Sequence, residues 1–181
     1  VVGFKKIKMG TMENVGSGEV ELPQQEMQTT AAWLTVDPAM LAGISPLRDD
    51  LVDGMRALTR LLHSLAPIFL LCDIRDIGAW LGDGTPSAEG QVVTREVMRA
   101  QLMQGDKFTP TIYLYDNQPG GIGLAERIFE VLPDLLSRGL ETLEACSCPA
   151  GCPSCVGPVN EVGRRAKPVA LALLKRLVSR R

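Results

Sequence analysis

The sequence predicts a mixed α/β domain of the α+β kind. It combines a small N-terminal antiparallel sheet, packed helices, a strand–glycine turn–helix unit and a four-cysteine loop. Three observations carry this prediction. Short β-rich runs broken by turn residues fill the first 44 residues. Leucines then recur at helical spacing. Near the C-terminal end, four of the five cysteines fall within ten residues.

Taken in order, residues 1–10 (VVGFKKIKMG) are β-rich and are followed by a polar, glycine-containing turn from Glu13 to Gly18. Residues 19–36 read as one or two further strands interrupted at Pro23, completing the N-terminal sheet. Trp33 is read as a core or interface residue and not a base-stacking platform, because no second aromatic accompanies it in the sequence. Ser45-Pro46 reads as a helix start, with serine as cap and proline at the first helical position. Asp49 and Asp50 follow, where they complement the helix dipole. Leu51, Met55, Leu58, Leu62 and Leu65 mark one buried face, and Pro67 ends or kinks the helix. Ile68 to Leu71 is a buried strand or more helix.

His63, the only histidine, lies beside that leucine face and is read as a helix-flank residue or an additional metal candidate. Cys72 sits in an apolar run, where a free cysteine behaves as a small hydrophobe. Asp73 and Asp76 flank Arg75, a turn and salt-bridge pattern that also offers paired carboxylates. Residues 82–91 are loop-like, and a short helix is expected from Thr94 to Gln104. Thr109 to Asp116 reads as a buried strand with proline near its start. Gly120, Gly121 and Gly123 form a glycine turn, and a helix runs from Leu124 to Arg138 with Pro133 interrupting it. Strand, glycine turn and helix together form the geometry that cradles phosphates. The spacing is G-G-x-G with no following lysine, so this is not a P-loop. Asp116 stands either as a functional group at the strand end or as a cap for the turn. A last helix, about Lys167 to Arg180, buries Val169, Leu173, Leu174 and Leu177.

Cys146, Cys148, Cys152 and Cys155 are spaced C-x-C-x₃-C-x₂-C, and Pro149, Gly151 and Pro153 let so short a run turn on itself. Four thiolates converging at about 2.3 Å on one ion make a closed structural zinc site. An iron–sulfur cluster takes the same ligand set, and spacing alone does not separate the two. Paired disulfides are the third reading, expected only in a secreted protein.

With 45% hydrophobic and 22% charged residues, the 181-residue chain can build a packed core. One unit spanning 1–181 is expected: a β-rich part over 1–44, an α/β part over 45–140, the cysteine loop over 141–158 and a basic helix over 159–181. No signal peptide and no run of about eighteen uncharged apolar residues is present, so no membrane partner is expected. The opening Val1-Val2-Gly3-Phe4 reads as mid-strand, as in a piece of a longer protein. Thiols kept for metal point to a reducing cytosol. Net charge is −2, yet residues 156–181 hold seven of the 19 Lys and Arg against a single acid, Glu161. Arg164, Arg165 and Lys167 are therefore candidate contacts for nucleic-acid phosphates, or for offsetting the charge of a tetrathiolate centre.

The leucine-rich helix with His63, then PIFLLCDIRDIG, IYLYDNQPGGIGLAERIFE and CSCPAGCPSC, occur in this order. Together they resemble the C-terminal zinc-binding domain of MrfA/YprA/SftH-type DEAD/DEAH-box superfamily 2 DNA helicases. The resemblance covers most of residues 1–180; residues 82–104 match none of its motifs. It implies structural zinc on the four clustered cysteines. It also implies a parent that hydrolyses ATP and moves 3′→5′ along single-stranded DNA in repair, in the cytoplasm and associated with the nucleoid. The implied partners are the motor domains of the same parent chain and single-stranded DNA. No Walker A or DEAH sequence occurs in these residues, so ATP hydrolysis by this chain alone is not expected. The expected function is an accessory domain that braces the motor or guides DNA. The alternatives are a free-standing phospholigand-binding enzyme and a protein-interaction module.

Overall fold

The computed structural model describes residues 3–19, 26–83 and 109–179, which form five strands and five helices. β1 (Gly3–Ile7) and β2 (Asn14–Glu19) make an antiparallel hairpin. The turn expected at Glu13 to Gly18 falls earlier. Lys8 N donates to Glu13 O, Met12 N donates to Lys8 O, and Gly10 takes φ +107°. Gly16 and Gly18 lie inside β2 instead, and Gly18 leaves room for the Phe4 ring laid across it.

β3 (Ala31–Thr35), β4 (Ile77–Asp83) and β5 (Pro110–Asp116) form a second antiparallel sheet in the order β3-β5-β4. β3 therefore does not extend the N-terminal hairpin. It pairs with a strand far along the chain, Trp33 opposite Tyr113 and Leu34 opposite Ile112. A β-pattern in sequence specifies a strand and its faces but not the partner. β5 is the central strand, and its inward residues Ile112, Leu114 and Asp116 are buried.

α1 (Pro38–Leu41) is a single turn capped by Asp37, whose Oδ1 accepts from Ala39 N at 2.8 Å. α2 (Arg48–Leu70) begins two residues after the expected proline. Ser45 Oγ accepts from Leu47 N and donates to Asp50 instead of capping the helix. Pro67 lies within α2 and does not end it; the helix closes at Leu71, in the left-handed region at φ 55°. Ile68 and Leu71 are exposed, so the apolar run after Pro67 is helix and not a buried strand.

α3 (Leu124–Ala145) carries Pro133 inside it and runs seven residues beyond the expected Arg138. The short α4 (Val159–Val162) and α5 (Ala166–Ser179) complete the fold. α2 and α3 pack over the inner face of the three-stranded sheet, and α5 packs against α2 and α3 on the side away from it. Met55, Leu58, Leu62, Ile128, Leu135, Leu173 and Leu174 are all at or near zero exposure. The stripes of α2 and α5 are buried at Met55, Leu58, Leu62, Leu65, Val169, Leu173 and Leu174, while Leu51 and Leu177 are half-buried. Gly54 allows the close crossing of α2 and α5: a Cβ there would lie 2.2 Å from Val169 Cγ1. The sequence-predicted break at Pro23 and helix from Thr94 to Gln104 lie outside the described residues, as does most of the loop over 82–91; Gly82 and Asp83 finish β4.

Candidate metal centre

α3 ends at Ala145, and Cys146 takes an extended conformation immediately after it. From there the chain folds back on itself. Cys155 N and Gly157 N both donate to Cys152 O, at 3.0 and 2.9 Å, and Cys152 N donates to Cys155 Sγ at 3.3 Å. Two glycines make this fold-back possible. Gly151 (φ +145°) faces the Gly157 carbonyl, and Gly157 (φ +106°) lies under the Arg60 guanidinium, which also pairs with Glu161.

The four sulfurs consequently converge. Cys146 Sγ lies 3.4 Å from Cys148 Sγ and 3.6 Å from Cys152 Sγ; Cys155 Sγ lies 3.5 Å from each of Cys148 and Cys152. All four lie within 4.8 Å of one another. A tetrahedron of thiolates about 2.3 Å from zinc has sulfurs about 3.8 Å apart, so the donor set and its spacing fit such an ion. Closed on all four sides by protein, the site offers a staple and not a reaction centre. Cys155 and Val156 are buried in the main core, so the loop belongs to the packed interior.

The thiols differ without metal. Hydrogen bonding from the Cys148 backbone, then from the Cys148 and Cys152 side chains, holds Cys146 down at about 7. Burial pushes Cys155 up to about 12. Cys72 stands outside the cluster; burial, with Asp76 and Asp73 nearby, raises its thiol as well.

The basic candidates separate. Arg164 and Arg165 are exposed beside the loop, Arg165 Nε lying 3.8 Å from Asp50. Lys167 is not available to phosphate in this arrangement. It is 6% exposed and its Nζ points into the cysteine loop, a direction fixed by the buried face of α5 that charge counting does not reveal.

The glycine turn is also closed to phosphate. Asp116 is fully buried, and its Oδ2 accepts from Ile122 N at 2.6 Å, Gly123 N at 3.0 Å and Thr30 Oγ1 at 3.0 Å, while Oδ1 accepts from Ala125 N at 3.0 Å. A carboxylate from the protein occupies the anion position at the start of α3. Gly121 and Gly123 (φ +76° and +90°) serve this turn, a Cβ at Gly121 meeting Thr30 and Asp116, and Gly120 (φ +82°) donates to Gln28 O. The turn that the phospholigand alternative would use is thus filled by the protein's own carboxylate.

His63 Nε2 lies 2.8 Å from the Ile77 carbonyl, tying α2 to β4, and is not part of the metal cluster. Asp73 and Asp76 cap the 3₁₀ turn Ile74–Asp76, and the Arg75 guanidinium holds the Asp73 carboxyl down at about 2.

Sequence reasoning missed one feature. Trp33 is 63% exposed, so it is not core, and strand pairing gives it the aromatic neighbours that the sequence hides. Trp33, Tyr113 and Trp80 sit directly opposite one another across β3, β5 and β4 on the outer face of the sheet. Tyr115 shares that face and packs over Gly78. The signal was alternation within β5, where Tyr113 and Tyr115 fall on the face opposite Ile112 and Leu114.

A family model described as the MrfA Zn-binding domain matches residues 58–156, from the middle of α2 to just past the fourth cysteine. The uncharacterised ATP-dependent helicase YprA of Bacillus subtilis (strain 168) is 36% identical over 174 residues, covering 96% of this chain and 20% of that protein. The uncharacterised protein MJ1572.1 of Methanocaldococcus jannaschii is 32% identical over 130 residues, 69% of this chain and 100% of that protein. The crystal structure of DUF1998 helicase MrfA bound to DNA superposes with a TM-score of 0.70 at 33% identity, covering 97% of this chain and 20% of that one. The same helicase bound to DNA and AMPPNP gives 0.62 at 32% identity, over 96% and 19%. The chain thus spans about a fifth of the length of these helicases.

Proposed function

The chain belongs to the MrfA zinc-binding domain family, and from that premise we propose that it is the zinc-stapled accessory domain of an ATP-dependent DNA-repair helicase. The observation that carries this reading is the convergence of Cys146, Cys148, Cys152 and Cys155 within 4.8 Å, inside the matched family segment. Those four thiolates hold one structural zinc, which fixes the turn between α3 and α5. ATP turnover and 3′→5′ movement along single-stranded DNA belong to motor domains on the same parent chain, in the cytoplasm and on the nucleoid. This unit braces those motors and guides the strand, with Arg164 and Arg165 meeting phosphates beside the loop. The DNA-bound state of the superposing helicase supports that role.

The test is made in the full-length parent with Arg164 and Arg165 both changed to Glu. We expect about one zinc per chain by elemental analysis, as in wild type. DNA binding should weaken, with the salt slope falling by roughly one for each phosphate no longer neutralised. An unchanged slope, or iron in place of zinc, would sink the corresponding part of the proposal.

The outer-face row Trp33–Tyr113–Trp80, in which both tryptophans are exposed and Tyr113 is half-buried, favours a second reading, a protein-interaction module, because tryptophan and tyrosine dominate binding hot spots. Under that reading, Trp33→Ala with Trp80→Ala abolishes attachment to a partner and leaves the DNA salt slope alone.

A further inference from the structure

We propose that Lys167 is the built-in counter-ion of the four-cysteine centre, controlling how firmly metal is held and how little the thiolates react. The proposal rests on the zinc reading above, yet Lys167 lies outside the matched family segment.

Lysine is almost never buried unless paired, and a cation in the first turn of a helix faces the unfavourable end of the helix dipole. Lys167 is both: it is 6% exposed and the second residue of α5. Its Nζ lies 2.6 Å from the Cys146 carbonyl, 2.6 Å from the Cys148 carbonyl and 3.5 Å from Cys148 Sγ. An ammonium has three N–H donors and no acceptor, and here three acceptors meet it. No carboxylate among the described residues pairs with it.

The opposing charge is therefore the centre itself. Four thiolates on a divalent ion carry a formal charge of −2, and one buried ammonium halves it. Two carbonyl bonds also pin the Cys146–Cys148 backbone, and the N–H···S contact draws electron density from one sulfur. The ammonium is placed by the core and not by the loop: Val169, Leu173 and Leu174 lock α5 against α2 and α3. Partners that orient metal ligands typically change metal affinity 10–100-fold when removed.

The experiment uses the full-length chain loaded with zinc and, separately, with cobalt(II). Lys167→Gln should release zinc to excess chromogenic chelator at least about tenfold faster than wild type, and Lys167→Arg, which keeps the charge, should stay nearer to wild type. In the cobalt form, Lys167→Gln should move the sulfur-to-metal charge-transfer band to lower energy, because the sulfur loses a donor and a cation. Unchanged release and an unmoved band in Lys167→Gln overturn the proposal while leaving the zinc reading intact. A wild-type chain that takes up no metal overturns both. Should Lys167→Gln not fold, alkylation of zinc-loaded wild type decides. Cys146 must be modified before Cys148, whose sulfur Lys167 covers; the reverse order overturns the proposal.

Discussion

Asp116 gives both carboxylate oxygens to the start of α3, reaching three backbone N–H groups and the Thr30 hydroxyl. Fully buried, it has no water to replace those bonds when they are broken. Asp116→Ala should lower the unfolding free energy by about 1–3 kcal/mol, read as a lower denaturant midpoint with zinc content unchanged; loss of zinc would mean that the turn and the loop are coupled. The sequence marked this residue as special, at the end of an apolar strand before three glycines. It did not reveal the direction of the interaction, because a carboxylate aimed at its own helix and one aimed at a ligand leave the same pattern. Lys167 shows the same blindness, since a basic run looks solvent-facing until packing turns one member inward. The cysteines were legible for the opposite reason: the entire ligand set is local, and ten residues contain the geometry.

At the scale of elements, the crossing of α2 and α5 depends on the bare Cα of Gly54. Gly54→Ala places a methyl 2.2 Å from Val169 Cγ1. The expected cost is about 1–3 kcal/mol, as for overpacking elsewhere. Adding Val169→Ala should recover part of that stability in a double-mutant cycle. If the two changes simply add, the crossing is looser than the fold implies. Helix existence and the buried faces were readable from leucine spacing. Boundaries were not: Pro67 and Pro133 each remove one hydrogen bond, yet packing carries α2 and α3 through them, by buried Leu65 and Ala66 with half-buried Phe69 around Pro67 and by Ile128 and Leu135 around Pro133. Strand partners were equally invisible, since β3 is completed by β5 from 76 or more residues downstream.

Across the whole molecule, the cysteine loop and the core are continuous through Cys155, Val156 and Val162. Acid should therefore act through the metal. Zinc requires all four sulfurs as thiolates, and in the metal-free chain Cys155 keeps its proton up to about 12 while Cys146 ionises near 7. Metal binding thus expels protons, so affinity rises with pH and falls as pH is lowered. Titration with a chromogenic chelator at stepped pH checks the sign. Hydrogen exchange on the metal-free form should show the loop and α4 opening, while α2, α3 and α5 stay protected by Leu58, Leu135 and Leu173. Protection that disappears evenly across the chain would instead make zinc a condition of the entire fold.

Both tryptophans of the chain, Trp33 and Trp80, lie on the outer face of the sheet. Intrinsic fluorescence therefore reports on that surface. Its emission is expected at the long wavelengths of solvated indole and changes little when the loop releases its metal. It should shift to the blue, or be quenched, when something covers the sheet. The same two side chains that hide this face from sequence reading make it observable in a cuvette without a label.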